Sequence, residues 1–125
     1  MITSYNLEFC TAELYNDYAI VVMKKGVTVS PNYIGTFLEI VNKHYKNRPF
    51  VYISHRVNSY SVNPATHLES SKVPSLIGVA VVSDDPLQKI QTKVEKPFFE
   101  KEFQHFDTLE EALKWKDEII KKYID

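Results

Sequence analysis

The order of its segments constrains this chain more than any other feature. Two adjacent strand patterns come first, and strand and helix patterns then alternate up to a terminal helix read over Asp107 to Tyr123. Parallel strands need long crossovers, which helices usually supply, so the order predicts an α/β domain on a mostly parallel sheet. A chain of 125 residues suits one core, and residues 1–125 are read as a single small domain. The expected order is β-β-α-β-α-β-α-β-α, with four to five strands in the sheet and the N-terminal strand antiparallel.

Residues Leu7 to Leu14 alternate as a half-buried strand does, with Cys10, Ala12 and Leu14 on one face. Three apolar runs, Tyr18 to Met23, Phe50 to Ser54 and Leu76 to Val82, predict strands covered on both faces. Between them, Ser30-Pro31 opens a helix with Ser30 as its cap, striped by Ile34, Phe37, Leu38, Val41 and Tyr45 and stopped by Pro49. Asn63-Pro64 starts a short helix to about Ser71. Asp84-Asp85-Pro86 opens another, with Leu87, Ile90 and Val94 on one face and Pro97 at its end. Phe103 to Phe106 is a short strand, and Asp107 with Glu110 has capping-box spacing for the terminal helix. The buried side of that helix is expected to be Leu109, Ala112, Leu113, Ile119, Ile120 and Tyr123, with Trp115 off the stripe centre. Right-handed crossovers between neighbouring parallel strands fall on one side of a sheet, so the other apolar face needs cover. Helical cover with some homodimerisation is the expectation.

Composition excludes several classes. Net charge is −1, which gives no overall pull toward nucleic acid or membrane. A basic stretch, with Lys43, Lys46, Arg48, Arg56 and Lys72 against Glu69 alone, reads as a solvated edge. Glycines stand only at 26, 35 and 78, too far apart for a phosphate loop or a dinucleotide fingerprint. The histidines, His44, His55, His67 and His105, form no short ligand pair, and no cysteine cluster joins them, so neither a metal nor a cofactor is expected. Cys10 is the single cysteine and reads as a small buried residue. No apolar run reaches membrane-spanning length, and the N-terminus lacks signal-peptide character. A cytoplasmic location is expected.

In open α/β sheets, ligands meet the loops at the carboxyl ends of parallel strands. That rule singles out the polar loop after the third strand, with His55, Arg56, Asn58, Ser59, Tyr60, Ser61 and Asn63 as candidate ligand- or partner-binding residues. Arg56 could hold a carboxylate or phosphate through two bonds, with Asn58 and Ser59 completing an anion site. No Gly-x-Ser-x-Gly turn accompanies the serines, so no catalytic residue is assigned and the chain is read as a non-enzyme. Phe98, Phe99, Phe103 and Phe106 crowd the region before the last helix. They read mostly as core, or else as one wall of an apolar pocket or dimer face.

The segment order, together with the ending Phe103-Gln104-His105-Phe106-Asp107-Thr108-Leu109-Glu110-Glu111-Ala112-Leu113-Lys114-Trp115, resembles the STAS-like domains. These include the anti-sigma-factor antagonists and small proteins grouped with the CRAL/TRIO lipid-binding fold. The resemblance implies a non-catalytic regulatory module that engages a protein partner or a small anionic ligand. It also implies a switch serine after the third strand, with Ser59 and Ser61 as the phosphorylation candidates, although the acidic residue and glycine of the usual switch motif are missing here. The alternative reading is a carrier of a small apolar or lipid-like ligand, held between the sheet and the Phe98 to Trp115 region. An enzyme of unknown type ranks third.

Overall fold

The computed structural model describes residues 3–58 and 61–124. Strands β1 (Thr3–Asn6), β2 (Cys10–Leu14), β3 (Tyr18–Met23), β5 (Phe50–His55), β7 (Leu76–Val82) and β8 (Glu102–Phe106) form one sheet in the order β1-β2-β3-β5-β7-β8. β1, β2 and β3 pair antiparallel, and β3, β5, β7 and β8 pair parallel. Two-residue strands β4 (Thr28–Val29) and β6 (Ser61–Val62) make a separate parallel ribbon. The helices are α1 (Ile34–His44), α2 (Ala65–Ser70), α3 (Pro86–Glu95) and α4 (Leu109–Ile124).

The α/β class, the mixed sheet and the helix order are as the sequence predicts. The strand count is not, because six strands pair where four to five are expected. Residues Leu7 to Leu14 are not one strand. The Leu7 N–H donates to the Cys10 carbonyl at 2.8 Å and turns the chain between β1 and β2. β1 is a short polar edge strand, and β4 and β6 have two residues each; such segments are too brief to display a period.

Helices α1 and α2 pack on one face of the sheet, where Leu14, Val21, Val41, Tyr45, Phe50 and Val79 share a core. On the other face α4 lays Ala112, Ile119 and Ile120 against Val51, Ile53 and Ala80. Helical cover of the second face is therefore supplied within the chain. α4 comes close at Gly78: a Cβ there would just touch Ile119 Cδ1 and Trp115 Cη2 at 3.4 Å, leaving no room for a larger side chain. Trp115 lies half-buried at the rim, its ring 5.3 Å from that of Phe106. Tyr123 is 61% exposed, outside the buried stripe.

Helix starts differ from the sequence reading in detail. Ser30 makes no capping bond, and a 3-10 turn over Pro31–Tyr33 leads into α1 instead. The capping box of α4 sits one residue later than Asp107-Glu110. The Glu111 N–H donates to Thr108 Oγ1 at 3.2 Å, and Thr108 Oγ1 donates to Glu111 Oε1 at 3.0 Å. At α3 the expected cap forms, with Asp85 Oδ1 accepting from the Leu87 N–H at 2.9 Å.

An amphipathic helix ordinarily turns its apolar stripe to the core. α3 does the reverse: Leu87, Ile90 and Val94 are 72%, 60% and 52% exposed, while Thr92 and Glu95 are buried. The cause lies in what faces it from the sheet.

Candidate functional site

The chain leaves β5 at His55 and immediately buries Arg56, whose N–H donates to the Val82 carbonyl at 2.9 Å. A buried guanidinium needs a partner anion, and Glu95 at the end of α3 supplies it. Arg56 Nη1 donates to Glu95 Oε2 at 2.7 Å and Nη2 to Oε1 at 2.6 Å, a two-bond pairing of the strong kind. Nη1 also donates to Gln88 Oε1 at 3.1 Å, and Nε to Ser54 Oγ at 3.2 Å. From α2, His67 Nε2 donates to Glu95 Oε1 at 2.6 Å, and its ring meets Phe103 edge-on. Gln88 and Glu95 are seven residues apart and so share a helix face. One carboxylate thereby joins β5, α2 and α3.

Burial raises the pKa of the fully enclosed Glu95 carboxyl, but the bonds from Arg56 and His67 outweigh it and hold the group down to about 2. The carboxylate is ionised at neutral pH. Among the described residues, no buried side-chain nitrogen or oxygen lacks a hydrogen-bond partner.

Beside this cluster, between α1 and the sheet, lies an apolar cavity of about 110 Å³. Ala12, Val21, Phe37, Ile40 and Val79 line its body, and Ser54, Arg56, Thr66 and His67 line a polar end. The half-exposed rings of Phe9 and Tyr33, stacked at 4.1 Å, also belong to its wall. They join the β1–β2 turn to the start of α1. Cys10 lines it too; burial pushes its thiol up to about 11, against a smaller lowering by Lys24, so it stays protonated. Of the Phe98 to Trp115 region, where an apolar pocket is expected, Phe106 and Trp115 lie on the opposite face, on which α4 packs directly, while Phe99 and Phe103 belong to the core on the cavity's own face; none of the four lines this cavity. Phe99 and Phe103 are core, Phe106 is half-buried and Phe98 is exposed.

The described members of the predicted loop set have separate attachments. His55 is half-buried and Arg56 faces Glu95. Asn58 Nδ2 donates to the Met23 carbonyl at 2.9 Å, fastening the loop to the end of β3. Asn63 Oδ1 accepts from the Ala65 N–H at 3.1 Å, and the Asn63 N–H donates to the Val29 carbonyl at 2.7 Å. Ser61 belongs to β6. Ser59 and Tyr60 lie outside the described residues. Sequence reading missed Glu95 and undervalued His67. The available signal was the polar face Gln88, Thr92, Glu95 of α3, which can turn inward only if a cation stands opposite.

The remaining histidines have other attachments: His44 meets the Tyr5 hydroxyl, and the His105 ring bonds the Ser83 carbonyl at 2.8 Å. Among the described residues no group of three His, Cys, Asp or Glu side chains is placed to hold a metal ion, and no helix is long and apolar enough to cross a membrane.

No protein-family model and no curated protein matches the chain. A solved structure does: an uncharacterised protein of the DUF3478 family from Shewanella loihica PV-4, with a SpoIIAA-like fold. The match spans 91% of this chain and 98% of that one, at 19% sequence identity and a TM-score of 0.56. Its fold is the one that the β1-β2-β3-β5-β7-β8 sheet and its helices describe. The chain therefore has the SpoIIAA-like fold of the STAS domains.

Proposed function

We propose that the protein is a non-catalytic binding module that takes a small apolar molecule into the cavity between α1 and the sheet. The cavity carries this reading. Protein interiors are close-packed, and an empty space of this size forfeits dispersion contacts along its whole wall. An engineered apolar cavity of about 150 Å³ stays dry and binds benzene, so one of about 110 Å³ suits a small ring or a short alkyl chain. Saturable shifts of the Val21, Met23 and Val79 methyl resonances on titration with hexanol test the reading. They should vanish in Ala12→Met, which fills the cavity from β2; shifts that never saturate in the wild type would contradict it.

A second reading, a regulatory module that meets a partner protein, is favoured by the outward stripe of α3. Leu87, Ile90, Val94 and Phe98 are exposed on or just after one helix, with Lys89, Lys93 and Lys96 beside them. Such a surface suits a partner with an apolar centre and an acidic rim. Of the predicted loop residues, Arg56 reaches this helix, through its bond to Gln88. A partner retained by the wild type, released by salt and lost in Ile90→Lys supports this reading. Equal retention by Ile90→Lys contradicts it.

A further inference from the structure

We propose that the ligand of the cavity is an apolar acid, and that its carboxylate takes the place on Arg56 and His67 that Glu95 now holds. The inference rests on the apolar-ligand reading and adds the chemistry of the ligand's head. Arg56 and His67 serve two neighbourhoods at once. Both line the cavity, and both bond Glu95, which is not among the lining residues. A molecule lying along Val21 and Val79 with its head toward Ser54 therefore points that head at a guanidinium and an imidazole N–H. Guanidinium and carboxylate match as a planar two-bond pair.

Charge compensation selects among head groups. An entering alcohol would have to leave Glu95 in place, and an entering amine would meet the guanidinium with like charge. An entering carboxylate can exchange for Glu95 on the same donors, so the buried cation keeps an anionic partner throughout. The exchange is also mechanically reasonable. Glu95 is the last residue of α3, and the apolar stripe of that helix already faces solvent. Releasing Glu95 to water thus gives up chiefly polar contacts that the ligand remakes. Glu95 acts as an internal stand-in for the ligand head on Arg56 and His67.

Hexanoate and hexanol, titrated into wild type and Glu95→Gln, test the proposal by calorimetry. Removing the competing internal charge should raise hexanoate affinity about tenfold, in line with the net strength of a charged hydrogen bond, and leave hexanol affinity unchanged. Hexanoate, and not hexanol, should also move the Arg56 Nε–H resonance of the wild type. If Glu95→Gln fails to fold for want of the Arg56–Glu95 ion pair, that resonance decides: a shift with hexanoate alone supports exchange, and no shift overturns it. Hexanol binding without any gain for hexanoate in Glu95→Gln overturns the acid head and leaves the apolar-ligand reading standing. Absence of binding by either probe to either protein overturns both.

Discussion

Helices α3 and α4 carry similar apolar stripes in sequence and use them in opposite ways. α4 buries Ala112, Ile119 and Ile120 on a sheet face made of Val51, Ile53 and Ala80. α3 turns Leu87, Ile90 and Val94 to solvent and seats Thr92 and Glu95 instead. The difference is the Arg56 guanidinium, which stands buried opposite α3 and draws Glu95 in with it; α4 seats one charge too, Lys116, but at the margin of its apolar stripe, where it meets the half-exposed Asp17 at 3.3 Å. A buried charge deprived of its partner costs about 3–5 kcal/mol, comparable to fully burying two large aliphatic side chains at about 1.5–3 kcal/mol each. Periodicity locates a stripe, and the chemistry opposite decides which side of the helix goes in.

The largest effect is expected at the seat of α3. Arg56→Met deprives the buried Glu95 carboxylate of its guanidinium, leaving it the bond from His67, and should remove about 3–5 kcal/mol of unfolding free energy in urea titration. A loss no larger than that of a surface substitution would place the seat elsewhere. In α4, Ile120→Ala should cost about 2–5 kcal/mol by leaving a cavity in a packed core.

Acid should separate the helices as well. The Glu95 pKa is depressed from 4.5 to about 2 in the folded protein, so its contribution to stability is complete above the unfolded value and lost as pH falls through about 4.5 toward 2. That contribution is about 3 kcal/mol, and Glu95→Gln should flatten this part of a stability-against-pH curve. An unchanged curve in the variant would assign the acid loss to other carboxyls. Gly78→Val, crowding Ile119 and Trp115, should cost about 1–3 kcal/mol. At the small end, Ile90→Ala on the outward face of α3 should change stability by no more than about 0.5 kcal/mol, and a loss comparable to that of Ile120→Ala would show that the stripe is buried in solution.

Much of this arrangement is legible in the residues. β7 spans Leu76–Val82, the bounds its apolar run predicts, because a strand covered on both faces has no polar residue to blur it. The α1 stripe through Phe37, Val41 and Tyr45 and the Asp85 cap of α3 also follow from spacing. Arg56, read from the sequence as a possible holder of a ligand's carboxylate or phosphate, pairs within the chain with the carboxylate of Glu95. Nothing local to either residue announces a pairing across 39 positions. The cavity is equally silent in sequence, since its body is lined by the same apolar residues that would fill a solid core.

The pairing of Arg56 with Glu95 is the force that orients α3. A double-mutant cycle with Arg56→Met, Glu95→Leu and the combined variant measures it directly. The double variant should be more stable than the sum of the single losses allows by about 2 kcal/mol or more, because each single change takes from a buried charge its opposite partner and the double does not. Losses that add to within about 0.5 kcal/mol, as for independent sites, would contradict it.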